Sequence, residues 1–297
     1  MEVQGRLAVN YTDLSKFGST QFLVEVGYLF QFIGNNNPDG HSREKFVSIK
    51  TSELFNDKAD LYAASRPMYP KALFDFIASI TPAHNSAWDC ATGNGQAALG
   101  LAEFFGSVQA SDISEAQISN AFAADNINYS VQASEATQFS DNQFDLVNVA
   151  QALHWFDYQR YWDEVSRVLN PEGVFVAYSY VWPSLNAVID ELVEEKIKQI
   201  LEPYWADNNR LAWNEYRELE FPFTPLDVPA ITLQNHWNAD QFFNYLHSWS
   251  GTRRCIDDKG LRFFEEAKEA LRIAWGNPAR KIVVKHPLVL IAGKAWS

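Results

Sequence analysis

Three stretches carry residues whose types and spacing can do chemistry. The first is A-Q-A-L-H-W-F-D at 150–157, where His154 and Trp155 stand side by side after an apolar run. A histidine there is a candidate base, metal ligand or packing residue, and the indole beside it offers an N–H that only donates. The second is W-D-C-A-T-G-N-G at 88–95, with Asp89 and Ala91 ahead of Gly93 and Gly95. Glycines at a strand-to-helix turn let the backbone approach a ligand, and the next helix presents its unpaired N–H groups there. The third is W-S-G-T-R-R at 249–254, where Ser250 precedes Arg253 and Arg254 by three and four residues. In a helix those residues share a face.

The elements that position these stretches follow from period and punctuation. Helical patterns cover S-E-L-F-N-D-K-A-D-L-Y-A-A-S-R, ending before Pro67, and P-K-A-L-F-D-F-I-A-S-I, with Pro70 in its first turn. Five short apolar strands then alternate with helices: S-A-W-D-C-A, S-V-Q-A-S-D, I-N-Y-S-V-Q-A, F-D-L-V-N-V-A and G-V-F-V-A-Y-S-Y. Helices are expected at G-Q-A-A-L-G-L-A-E-F-F, S-E-A-Q-I-S-N-A-F-A-A and Y-Q-R-Y-W-D-E-V-S-R-V-L. The last puts Tyr158, Tyr161, Trp162, Val165 and Val168 or Leu169 on one stripe. This rhythm predicts an α/β, doubly wound parallel sheet with right-handed crossovers. Ligands bind outside the carboxyl ends of such strands, near the order reversal. That edge collects the Gly93 loop, Asp112, the A-S-E-A turn and the His154 loop.

Residues 1–48 do not read as the start of a compact α/β domain and are expected to be an appendage ending in a polar, turn-rich linker. The core is expected over 49–183, an elaboration covering the ligand edge over 184–279, and a final core strand over 280–297. The elaboration reads as a long helix from Leu185, a strand-like A-I-T-L-Q-N-H-W, and two helical segments.

The 297 residues carry a formal net charge of -13, which argues against nucleic acid and against an anionic membrane surface. Any acidic substrate then needs local Arg or Lys. Two cysteines without ligand spacing exclude a disulfide framework or a zinc site and fit a reducing, cytoplasmic setting. The apolar-rich run 21–34 is too short to span a bilayer, contains Glu25, and has the wrong context for a signal segment. No metal is expected, and a monomer is favoured. Aromatic residues make up 14% of the chain and include ten Trp, many between 204 and 249, which is either core filling or a pocket lining.

Gly93, Gly95 and Ala98 satisfy the dinucleotide pattern G-x-G-x-x-A, a weak match alone. Asp89 at the strand end is of no use to a pyrophosphate but suits a ligand with a cationic amino group. Asp112, ending the second strand, suits ribose hydroxyls in either case. Glu135, after the third strand, falls beside the expected adenine position.

On these motifs, and on L-N-P-E-G before the fifth strand, the chain resembles the class I S-adenosylmethionine-dependent methyltransferases over residues 55–180. Within them A-D-L-Y-A-A-S-R-P-M-Y-P, A-Q-A-L-H-W-F-D and Y-L-H-S-W-S-G-T-R-R look like the trans-aconitate methyltransferase-like (methyltransferase type 11) group. The resemblance implies a seven-stranded Rossmann-like sheet, a helical, aromatic cap after the fifth strand, and S-adenosyl-L-methionine as cofactor. It implies that Asp89, Ala91, Gly93 and Gly95 line the methionyl portion and that Asp112 holds the ribose. Ile113 would pack beside the adenine, and Ser134, Glu135 and Ala136 would meet its edge. Gln151 would lie under the transferable methyl, with Tyr62 and Arg66 also at the cofactor. Ala91 stands where many members have Gly, which is tolerable if its torsions are ordinary.

The same resemblance implies a small organic acid converted to a methyl ester, with the Trp155 indole donating to the acceptor carboxylate. His154 is then a second donor, a base or a packed residue. Trp249, Ser250, Arg253 and Arg254 are the remaining substrate candidates, although a surface position for the two arginines at a helix C-terminus is equally open. The aromatic residues Trp205, Trp213, Phe221, Phe223, Trp237 and Trp249 could close over the site. A phenol, amine, thiol or lipid-like acceptor, a nicotinamide-dependent oxidoreductase and a non-catalytic cofactor-binding protein are the rival readings.

Overall fold

The computed structural model describes strand segments at 22–25, 28–33 and 45–50 and the continuous stretch 67–295. The chain divides into two units between Leu54 and Phe55. In the first, β1 (Phe22–Glu25), β2 (Tyr28–Ile33) and β3 (Lys45–Lys50) form an antiparallel sheet in that order. The apolar-rich run 21–34 thus supplies two paired strands. The segment 51–66, with its expected helix, Tyr62 and Arg66, lies outside the described residues.

Among the described residues, the second unit opens with α1 (Lys71–Ile80), entered from Pro70 and burying Leu73, Phe74, Ile77 and Ala78 on one face. The alternating core follows as β4 (Ser86–Cys90), α2 (Gln96–Leu101), β5 (Ser107–Asp112), α3 (Glu115–Ser119), β6 (Ile127–Val131), β7 (Phe144–Ala150), α4 (Tyr158–Val168) and β8 (Leu169–Tyr180). These five strands pair in parallel in the order β6-β5-β4-β7-β8. The order reverses between β4 and β7, which opens a crevice at their carboxyl ends.

Strand alternation sorts the core into two layers. Leu146, Val174, Val176 and Tyr178 pack with α1 and α2, beside Leu73, Ile77 and Leu101. Val147, Val149, Phe175 and Ala177 pack on the opposite face against Tyr161, Trp162, Val165 and Val168 of α4. Because β7 is covered on both faces, its first six residues are all buried, as a central parallel strand requires.

The expected helix from Ser114 is shorter than its pattern. It stops at Ser119, where the Asn120 side chain donates back to Ala116 O at 2.9 Å and Phe122 N donates to Asn94 O at 3.0 Å. A polar side chain that bonds the preceding turn ends a helix readily. β8 also starts earlier than expected, at Leu169. Its pairing jumps from Phe144–Leu169 to Leu146–Val174, so N-P-E-G is absorbed in a register shift.

Beyond β8 the chain forms α5 (Ala187–Val193), continued by a π-helical turn (Glu194–Lys198) and a further turn (Gln199–Leu201), and then α6 (Asn209–Trp213). β9 (Thr224–Pro225) and β10 (Thr232–Trp237) follow, and three helices lead to β11 (Ile282–Lys294): α7 (Ala239–His247), α8 (Ser250–Lys259) and α9 (Arg262–Trp275). The elaboration also extends the sheet. β9 and β10 both pair antiparallel with β11, which pairs antiparallel with β8. The helices share their own buried cluster, built from Ile189, Leu201, Phe242, Leu246, Leu271 and Trp275. Among the described residues no helix is long and apolar enough to cross a membrane.

Candidate functional site

The crevice at the order reversal is built first by the turn after β4. Ala91 has φ +52°, Gly93 φ +57° and Gly95 φ +82°. Ala91 is thus in the left-handed region, contrary to the ordinary torsions its tolerance required, and the turn holds an alanine where glycine is the unstrained residue. Gly95 caps α2, and a β-carbon there would stand 2.1 Å from the Tyr129 hydroxyl oxygen. Among the described residues, a β-carbon on Gly93 would meet nothing nearer than Gln117 at 3.9 Å.

Asp89 is fully buried beneath this turn. Its carboxylate accepts from Thr92 Oγ1, and from Asn148 Nδ2 at 2.7 Å. Both donors are neutral, and no ion pair among the described residues involves it. Burial pushes the carboxyl up to about 6, with these hydrogen bonds only partly opposing the shift. A buried carboxylate without a cation among the described residues suits a ligand that brings one.

Asp112 ends β5 and fastens two loops. Its Oδ2 accepts from Gly93 N at 2.9 Å and its Oδ1 from Ser114 N at 2.8 Å. Burial raises its carboxyl, and those backbone donors oppose the rise. Each oxygen keeps a second lone pair for a further donor. Ile113 beside it is 37% exposed, an apolar side chain awaiting a partner at the crevice. In the turn after β6, Ser134 is buried, Glu135 accepts from Asp157 N at 3.3 Å, and Ala136 is exposed.

The loop after β7 separates the residues that sequence set side by side. Gln151 takes φ +59° while its N–H donates to Tyr178 O at 2.9 Å. His154 and Trp155 fall in a 3-10 turn (Leu153–Trp155). His154 is buried, with Nδ1 3.4 Å from the Tyr216 hydroxyl, and burial holds its imidazole down at about 4. Tyr216 is bonded in turn to Ser179 at 2.8 Å. His154 is absent from the cavity wall described next and packs against Tyr216 and Trp155.

A cavity of about 120 Å³ opens at this edge, and its wall includes Gln151, Trp155, Trp182, Trp213, Trp249, Ser250 and Arg253. Four sequence candidates, Trp155, Trp249, Ser250 and Arg253, thus converge with Gln151. Arg254 does not join them. It donates from Nη1 to Tyr204 O at 3.3 Å, and burial together with the adjacent Arg253 lowers its pKa. Both arginines lie in the first half of α8, so the alternative of a helix C-terminus is also removed.

Of the aromatic cover candidates, Trp205, Trp213 and Trp249 line the cavity. Phe221 and Phe223 instead pack on Phe175, and Trp237 packs on Tyr245 and His286. Sequence reasoning missed Trp182, Tyr180, Asn209 and Tyr245 on the wall, and Thr92 and Asn148 around Asp89. Tyr180 ends the fifth parallel strand and Trp182 follows it, so the strand-end rule that located Gln151 also reaches them.

Five parallel strands with a reversal after β4, an antiparallel last strand and a left-handed glycine turn at the reversal define a class I, Rossmann-like methyltransferase core. Residues 88–177 match the methyltransferase domain family. The chain is 30% identical to a candidate methyltransferase of Dictyostelium discoideum over 83% of its own length and 98% of that protein. It is 25% identical to a candidate S-adenosylmethionine-dependent methyltransferase of Saccharomyces cerevisiae, over 68% of this chain and 82% of the relative. A solved structure from Anaeromyxobacter dehalogenans, a candidate type II methyltransferase, is 37% identical with a TM-score of 0.73, covering 78% of this chain and 98% of that one. The chain belongs to the class I S-adenosylmethionine-dependent methyltransferase family.

Proposed function

We propose that the protein transfers a methyl group from S-adenosylmethionine to a carboxylate oxygen of a small organic acid. The observation that carries this reading is the chemistry of the cavity wall. In a chain of net charge -13, the described residues of that wall include Arg253 and no Asp or Glu. Gln151 Nε2 and Trp205 Nε1, both on wall residues, are buried and lack a hydrogen-bond partner among the described residues. Donors on a wall whose described residues include no carboxylate suit an anion.

The residues present fit the cofactor. Asp89, buried with neutral partners among the described residues, would balance its amino group, and a β-carbon on Gly93 would meet no described residue nearer than Gln117 at 3.9 Å, which suits the methionyl chain. Asp112 has lone pairs left for ribose hydroxyls, and Ile113 is exposed for an adenine face. Bound there, the cofactor would supply an electrophilic methyl for the acceptor oxygen, with the electrons of the S–C bond left on sulfur. No proton moves, because a carboxylate with pKa ~4 is already ionised at neutral pH.

Among the described residues the wall has no histidine, lysine or acid to act as base, which disfavours a phenol or alcohol acceptor. The work of the chain is to hold oxygen and methyl in line. Gln151 and Trp155, on the loop at the reversal, are the residues we assign to this positioning. Buried, free Cys90 and Cys255 agree with a reducing, cytoplasmic setting.

The test is incubation of the full chain with methyl-labelled S-adenosylmethionine and a panel of carboxylic acids, read by mass spectrometry. A base-labile methyl ester is expected. A base-stable product with an amine, phenol or thiol would overturn the acceptor. A thermal shift with NAD but none with S-adenosylhomocysteine would overturn the cofactor.

A further inference from the structure

Behind the cavity wall lies a small polar node that the proposed chemistry does not use. Ser179, His154 and Tyr216 are all buried, and Tyr216 belongs to the apolar, aromatic layer shared with α4. Tyr216 and Ser179 share a hydrogen bond at 2.8 Å, and His154 Nδ1 stands 3.4 Å from the same phenol oxygen. A hydroxyl offers one donor and two acceptor sites, so Tyr216 can serve both neighbours at once.

Each member of the node sits close in sequence to a wall residue, and each on a different element. Ser179 precedes Tyr180 at the end of β8, where successive side chains face opposite ways. His154 precedes Trp155 in the 3-10 turn. Tyr216 comes three positions after Trp213, the last residue of α6, and α6 itself contacts the 3-10 turn. One phenol oxygen therefore ties together the strand, the loop after β7 and the end of α6.

The chain takes a strained path to put it there. Glu215 and Tyr216 have φ +57° and +55°, two successive side-chain-bearing residues in the left-handed region. Tyr216 N donates to Leu211 O at 2.8 Å, closing α6 where glycine is the usual left-handed residue. Such strain persists where the surroundings over-determine the geometry, and the buried ring with its bonded hydroxyl supplies that constraint. Packing alone does not dictate the bond. Tyr158, against the same layer, buries its hydroxyl oxygen with no hydrogen-bond partner among the described residues.

We propose that Tyr216 is a positioning residue for methyl transfer. Its hydroxyl holds the Trp155 turn and the Trp213 end of α6 to β8, which fixes the acceptor side of the cavity. Tyr216 is not among the described residues of the wall, so it acts through those two tryptophans. This rests on the cavity being the acceptor site, and not on the acceptor being a carboxylate.

The experiment compares the full chain with Tyr216→Phe, Ser179→Ala, the double variant and Tyr158→Phe. Near-ultraviolet circular dichroism, with S-adenosylhomocysteine bound, reads the packing of Trp182, Trp205, Trp213 and Trp249, whose paired ring centroids lie 4.9 to 5.8 Å apart. Methyl transfer from labelled S-adenosylmethionine is followed with trans-aconitate, citrate, benzoate and phenylacetate. Tyr216→Phe and Ser179→Ala should each change the spectrum and lower kcat about tenfold, with KM and S-adenosylhomocysteine affinity within about threefold. Because both remove one bond, the double variant should fall no further than the stronger single one. Tyr158→Phe should match wild type. Should Tyr216→Phe not fold, Ser179→Ala, which leaves the phenol in place, carries the same test. An unchanged spectrum, or a kcat within about twofold of wild type, overturns the inference. So do additive losses in the double variant or an equal loss in Tyr158→Phe, either of which marks packing in general. Should wild type methylate none of the four acids, the carboxylate reading fails and the spectra alone decide this inference.

Discussion

Gly95 and Tyr129 meet so closely that a β-carbon on the glycine would stand 2.1 Å from the tyrosine oxygen and 3.0 Å from its ring. The tyrosine is tied in place, donating from its hydroxyl to Phe122 O at 2.6 Å. The turn before α2 is therefore clamped from below by β6. Gly95→Ala is expected to lose stability on two counts, the left-handed torsion at about 1–2 kcal/mol and the clash. Gly93→Ala carries the torsional cost without such a clash, because its nearest neighbour among the described residues is at 3.9 Å. Urea unfolding should place Gly95→Ala below Gly93→Ala, and equal losses would show that the contact with Tyr129 does not matter.

Arg253 and Arg254 are adjacent in sequence and differently placed, one on the cavity wall and one against a backbone carbonyl. A hydrogen bond to a charged group contributes about 1.5–3 kcal/mol. Arg253→Gln should accordingly raise the KM for a carboxylate acceptor about 10- to 100-fold, with S-adenosylhomocysteine affinity intact. Arg254→Gln should change that KM by less than about threefold. Steady-state kinetics on both variants decide the matter, and equal effects would remove Arg253 from the acceptor site.

His154 and Asp89 oppose each other in acid. The His154 imidazole is held at about 4 against an ordinary 6.5, so between those values the unfolded chain binds more protons and stability falls as pH falls. The Asp89 carboxyl is raised from 3.8 to about 6, so there the folded chain binds more protons and stability falls as pH rises. The two slopes largely cancel between about pH 4 and 6. His154→Phe should unmask the Asp89 slope, making the variant less stable at pH 6 than at pH 4 relative to wild type. Asp89→Asn should do the reverse. With a neutral, packed imidazole, kcat/KM for a carboxylate should also stay flat from about pH 6 to 8. A rise there that disappears in the His154 variant would make the histidine a base.

What sequence revealed depended on how local the cause was. The run Phe144–Ala150 reads as a strand because a strand covered on both faces is apolar throughout, and it is one. The glycine turn, Asp112 and the loop at Gln151 followed from the rule that parallel strands present ligands at their carboxyl ends. The short α3 and the burial of His154 did not, because Asn120 and Tyr216 decide them through contacts that no periodicity encodes. The split between Arg253 and Arg254 is of the same kind. Trp182 was missed for a different reason. Attention fell on the Trp-rich stretch between 204 and 249, while this residue sits just beyond β8.

Gln151 is held at φ +59°, a conformation that costs a side-chain-bearing residue about 1–2 kcal/mol. Its backbone N–H remains bonded to Tyr178 O, so the fold maintains the strain rather than relieving it. Strain of this kind persists where the surroundings over-determine the geometry, and it places the Gln151 amide on the cavity wall. Gln151→Gly releases the torsion but adds flexibility to the unfolded chain, at about 0.5–1 kcal/mol. The variant should be as stable as wild type, or up to about 1 kcal/mol more stable, while its kcat falls about tenfold or more. Gln151→Ala, which keeps the strain and loses the amide, should match that kcat without any gain in stability. Thermal unfolding and single-turnover methyl transfer separate the two effects. A glycine variant that keeps full kcat would show that the amide takes no part in transfer.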